Sequence, residues 1–172
     1  VNGSLPVTSN ILSRVTGGNI SNLYGTIQTT DFGNANLFLV NPSGIVFGPT
    51  GSVNVGGSVS FTTAQYLRLF DEVTGNSANF YADSANDGLA NSVFAVSPVV
   101  DFGFLSPAAY GFLTSPDPSA TITVQGSALA VPLGQSISLV GGKVVIQGAQ
   151  LPDGTVQSAQ LSAPAPTGTI QL

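Results

Sequence analysis

The sequence predicts an all-β fold, read as a parallel β-solenoid, and three observations carry that expectation. Short runs rich in Val, Ile, Phe and Thr are bounded by Gly, Asn, Asp or Pro. Within these runs Phe38 and Val40, Ile45 and Phe47, Val53 and Val55, and Val59 and Phe61 stand at alternate positions. The connectors "NPSG" (41–44), "GPTG" (48–51) and "GG" are too tight for crossover helices. Nor are they the Asn-Gly pairs that favour two-residue hairpins. Strands bent at repeated corners suit stacked coils. The repeat is inexact, so periodicity alone leaves a β-sandwich as the alternative.

Taken in order, the strand runs are 35–40, 44–48 and 52–61, then 120–125, 136–148 and 155–163. Alternation directs Phe38, Val40, Ile45, Phe47, Val53 and Val55 inward, because a slip of one residue would expose the whole set. "AQYLRLFDEV" (Ala64–Val73) is the one segment with a helical period, short and poorly capped. From about Tyr66 to Ser119 the chain is rich in aromatics and Pro. This stretch reads as an excursion outside the regular coil, packing its aromatics on one face of the solenoid. The regular pattern resumes at Ala120.

The 172 residues are enough for one domain with a sizeable core. Only 6% are charged while 42% are hydrophobic, so the surface is wetted by hydroxyls and amides rather than ions. Three cations, Arg14, Arg68 and Lys143, cannot neutralise a run of phosphates, which argues against nucleic acid. There is no apolar stretch long enough to span a bilayer and no signal-peptide pattern. The absence of Cys excludes disulfides and thiolate metal sites. Low charge with much Gly, Ser, Thr and Asn fits a secreted surface protein better than a cytosolic enzyme. The start at Val1 rather than Met reads as a processed or trimmed piece of something longer.

Asn41-Pro42-Ser43-Gly44 fits a type I turn. Asn suits its first position, Pro fixes φ at the second, and Gly is favoured at the fourth. On residue types alone a plain corner is the leading reading, and part of an address that another protein reads is the alternative. The longer stretches "ILSRVTGGNISNLYGTI" (11–27) and "ANLFLVNPSGIVFGPTGSVNVGG" (35–57) resemble the secretion domain of two-partner-secreted exoproteins, the filamentous-haemagglutinin family of bacterial adhesins. That family's hallmark turn is Asn-Pro-Asn-Gly-Ile/Leu. Asn41, Pro42, Gly44 and Ile45 match it, and Ser43 replaces the second Asn, keeping a hydroxyl but losing an amide. Arg14, Val15, Thr16, Gly17 and Gly18 match a second motif, and "VNVGG" (53–57) a third. The region 132–151 is similar to the family's later strand-turn-strand segment.

The resemblance implies a right-handed parallel β-helix without catalytic duty. It also implies a dedicated outer-membrane transporter as partner and an extracellular or cell-surface location. Family members carry further strands and an amino-terminal cap before the "ILSRVTGG" region, where this chain has only "VNGSLPVTSN". The expectation is a single β-helix domain over 1–172 lacking that cap. An uncapped solenoid exposes unpaired backbone at its first coil.

No His is present, which removes the commonest general base. The carboxylates are Asp31, Asp71, Glu72, Asp83, Asp87, Asp101, Asp117 and Asp153, mostly beside turn residues. A glycosidase needs two converging across a sugar, and Asp71-Glu72 would point apart on a strand. "DSANDG" (83–88) offers Asp83 and Asp87 as weak Ca²⁺ ligands, although the spacing is not that of an EF-hand. Phe102, Phe104, Tyr110 and Phe112 could stack on sugars but suit core packing better. No cofactor is implied. The leading expectation is a secretion and adhesion segment with a host or surface glycan or protein as further partner. Its rivals are a homo-oligomeric filament built by end-to-end stacking and a glycan-active β-helix enzyme.

Overall fold

A computed structural model describes residues 8–70, 75–82, 110–111 and 120–172. The chain winds through successive coils of three strands each. The first coil is β1 (Asn10–Arg14), β2 (Ser21–Leu23) and β3 (Thr26–Gln28). The second is β4 (Asn36–Val40), β5 (Ile45–Phe47) and β6 (Ser52–Asn54). The third opens with β7 (Val59–Thr62), leaves the coil for β8 (Tyr66–Phe70), β9 (Ser77–Tyr81) and β10 (Tyr110–Gly111), and returns with β11 (Thr121–Gln125) and β12 (Ala128–Ala130). The fourth has β13 (Ile137–Val140) and β14 (Lys143–Gln147). After a small hairpin, β15 (Ala149–Gln150) and β16 (Val156–Gln157), it closes with β17 (Gln160–Ser162), and β18 (Ile170–Gln171) begins a fifth.

Like strands stack upon like. The first sheet runs β1-β4-β7-β13-β18, the second β2-β5-β11-β14 and the third β3-β6-β12-β17, all parallel. This is the expected parallel β-solenoid. No α-helix occurs among the described residues; the 3₁₀ turn Thr30–Phe32 is the one helical element there. The inner faces of the three sheets share one core, to which Leu37, Val59 and Ile137, Ile45, Phe47 and Ile122, and Val53 and Leu129 contribute. Phe47 and Phe61 meet edge to face at its centre, ring centroids 4.8 Å apart. Each fully buried side chain of this size contributes about 1.5–3 kcal/mol relative to exposure.

Ile45, Phe47, Val53, Val55, Val59 and Phe61 point inward as alternation predicts, whereas Phe38 and Val40 do not. In β4 the core residues are Leu37 and Leu39. Phe38 and Val40 lie on the outer face, against Leu67, Leu69, Phe80 and Ala82 of the excursion. A strand covered on both faces reads as a continuous apolar run, and "NLFLV" therefore carries no phase. The helical reading of Ala64–Val73 is also overturned as far as Phe70, residues 71–73 lying outside the described residues. Tyr66–Phe70 is strand β8, antiparallel to both β9 and β10. Leu67 and Leu69 are buried with Arg68 exposed between them, a period of two.

Two devices hold the coils in register. A column of polar side chains runs along one edge of the first sheet. Asn36 donates to Asn10 (3.1 Å) and accepts from the Ser58 amide (2.9 Å). The Ser58 hydroxyl oxygen accepts from the Ser136 amide (3.0 Å), and Ser136 and Thr169 share a hydroxyl bond (2.8 Å). The second device is the pair Gly56-Gly57. A Cβ at Gly56 would lie 1.9 Å from the Gly33 carbonyl oxygen, and one at Gly57 2.5 Å from that of Ala35. Only glycine lets these corners stack.

Candidate functional site: the stacked corners between the first and second sheets

Each coil turns from the first sheet to the second at one corner, and these corners stack into a column. The first-coil corner is Val15–Ile20, the tail of the "SRVTGG" motif; the second is Asn41–Gly44, the "NPSG" turn. The two motifs, far apart in sequence, are neighbours in space. The Val15 amide donates to the Val40 carbonyl at 2.9 Å, and the Asn41 amide to the Thr62 carbonyl at 2.9 Å. The excursion leaves from the third corner, beginning at Thr63. Gly141-Gly142 forms the fourth, where the Gly142 amide donates to the Thr63 hydroxyl at 3.4 Å.

Asn41 is 0% exposed. Its Oδ1 accepts from the Ser43 amide at 2.9 Å, and its carbonyl from the Gly44 amide at 3.1 Å, which closes the turn from within. Its Nδ2 reaches back a whole coil, donating to the Asn19 carbonyl (2.9 Å) and the Ser21 hydroxyl (2.8 Å). A buried amide must be satisfied, and this one fastens the second coil to the first. Pro42 and Ser43 are half-buried, Gly44 adopts φ 119°, a conformation L side chains rarely take, and Ile45 enters the core. The polar face of the corner that solvent meets lies mostly on the first coil, where Thr16, Gly17, Gly18, Asn19 and Ile20 are exposed.

Arg14 turns the other way. It is half-buried on the outer face of β1, where its guanidinium donates to the Tyr81 carbonyl at 2.6 Å and lies 4.9 Å from the Phe80 ring centroid. A cation over an aromatic face with a hydrogen bond alongside ties the excursion to the first coil. Asn19, Ser21, Phe80 and Tyr81 are the partners that sequence reading missed. Asn19 and Ser21 lie inside the quoted "GGNIS", but nothing in their spacing says that Asn41 would reach them.

Of the candidate ligands and platforms, Asp83, Asp87, Phe102, Phe104 and Phe112 lie outside the described residues, as do Asp71 and Glu72. Tyr110 lies in β10, its backbone paired with Leu67. Among the described residues no three His, Cys, Asp or Glu side chains gather as a metal site. Asp31 sits in the first coil and Asp153 at the tip of the β15–β16 hairpin. The Thr155 hydroxyl and amide both donate to Asp153, and they hold its carboxyl below the usual range.

The fold and the stacked corners define a parallel β-solenoid built one coil upon the last, its opening coils fastened through their motif residues. The family model for the TPS secretion domain matches residues 2–172, and the chain belongs to that family. It is thus a secretion domain of the two-partner type, and the family implies an outer-membrane transporter as partner. No curated protein and no solved structure matches the chain.

Proposed function

We propose that the domain directs export of an adhesive exoprotein to the cell exterior, without catalysis, and that the Asn41 turn serves export by making the first two coils fold together. The burial of Asn41 carries this reading. Its side chain spends every polar atom on its own chain, so a partner that reads the corner meets the first-coil residues instead. A sparsely charged chain without cysteine passes a pore extended and then lays down coils outside, where pairing of the second coil on the first favours retention. The test is Asn41→Ala, measured both as a purified domain in urea and as yield outside cells carrying the cognate transporter. Stability should fall by about 3 kcal/mol, since three hydrogen bonds go and buried partners are left unpaired, and export should fall with it. Native stability with lost export would mean that the transporter reads Asn41 directly.

A second reading, a filament subunit, is favoured by the columns of side chains. Aliphatic Ile11 and Ile170 stand in one column, and Asn10 and Thr169 in the polar one, so head-to-tail copies would meet like with like. Sedimentation at rising concentration should then show open-ended association. A constant monomer mass rejects it.

A further inference from the structure

The corner between the second and third sheets carries a device that the secretion reading does not use. In the second coil this corner includes Pro49, in the third Gly126, and in the fourth it is interrupted by the β15–β16 hairpin. Gln157, on that hairpin, is half-buried. Its Nε2 donates to the Gly126 carbonyl at 2.5 Å and to the Pro49 carbonyl at 2.8 Å. An amide nitrogen has two protons, and here each goes to a different earlier coil. The hairpin itself is firmly built. Ala149 pairs with Gln157, the Leu151 amide donates to the Thr155 carbonyl at 2.8 Å, and Ala149 is 2% exposed. The Gly126 amide donates to the Gln147 carbonyl at 2.9 Å, which seats the hairpin's root on the third coil.

We propose that the β15–β16 hairpin is a clasp by which the fourth coil locks the second and third, with Gln157 as the group that engages them. Backbone pairing alone joins each coil only to the next. Gln157 spans two coils at once, over a sequence distance of 108 residues to Pro49. The second coil then cannot open at this corner until the fourth has let go. Asn41 also acts backward, on the coil before it, but its reach ends there. The clasp joins residues 108 apart in sequence, so it forms late in folding and acts on the unfolding step.

The test is Gln157→Leu in the whole domain, which removes both donors at similar volume. Unfolding in urea, followed by the fluorescence of the four tyrosines with no Trp to mask them, should quicken roughly tenfold while refolding keeps its rate. Hydrogen exchange should rise in residues 45–54 as well as 149–157 and stay unchanged in 10–28. Faster exchange confined to 149–157, or an unaltered unfolding rate, would overturn the clasp. If that variant does not fold, Gln157→Asn, one methylene too short to reach both carbonyls, must give the same exchange pattern. Full protection of 45–54 in folded Gln157→Asn would equally overturn it.

Discussion

Two kinds of residue decide whether neighbouring coils meet, and they fail differently. Asn41 acts through what it adds, an amide that satisfies Asn19 and Ser21 of the first coil and Ser43 of the second. Its loss leaves a fold that still closes but is weaker. Gly56 acts through what it lacks. A methyl group there would stand 1.9 Å from a backbone oxygen, which cannot swing aside as a side-chain tip can. Gly56→Ala should therefore cost several kcal/mol, on the scale of other severe packing faults, and give a large fall in melting temperature. Gly25, with nothing within 4 Å of its virtual Cβ, is the control; Gly25→Ala should melt within a few degrees of the native domain. The turn at 41–44 was legible because Asn, Pro and Gly each have one strong local preference. The cross-coil bonds of Asn41 were not, since they depend on which coil lies beside it.

Among the elements, strands whose outward residues are polar show their phase in the sequence, and a strand apolar on both faces does not. β6 and β7 alternate Ser52, Asn54, Ser60 and Thr62 with their apolar residues, so Val53, Val59 and Phe61 announce their side. β4 does not, because the excursion covers what solvent would otherwise have marked. β8 misled for a related reason: "YLRLF" is too short for a period of two to outweigh one of 3.6. The β15–β16 hairpin went unread although "LPDGT" announces a turn with Pro, Asp and Gly in favoured places. Its tip makes a pH prediction. The Asp153 carboxyl is held below its usual range by the Thr155 hydroxyl first and the Thr155 amide second. A depressed carboxylate supports the folded tip above the ordinary titration range and withdraws that support as pH falls through its lowered value. The amide resonance of Thr155 should shift with a midpoint below that of an unperturbed Asp. Asp153→Asn should abolish the transition.

Across the whole molecule, the solenoid was legible and its fastenings were not. Tight corners and alternating runs are local facts, and they sufficed for stacked coils. What joins the coils comes from pairs many residues apart: Arg14 with Tyr81, Asn36 with Ser58, Gln157 with Pro49. Nothing local to either member of such a pair marks the other. The departure of the chain at Thr63 and its return at Ala120 have a consequence for how such a protein can grow. Thr62 and Thr121 belong to adjoining strands of one coil, yet Val59 still pairs with Ile137 and Ile45 with Ile122 as though nothing stood between. The winding has therefore absorbed a long passenger without losing count. A corner of this kind is a port where sequence can be added or exchanged while the shaft beneath keeps its pitch, so long as what is inserted still covers Phe38 and Val40 and meets Arg14.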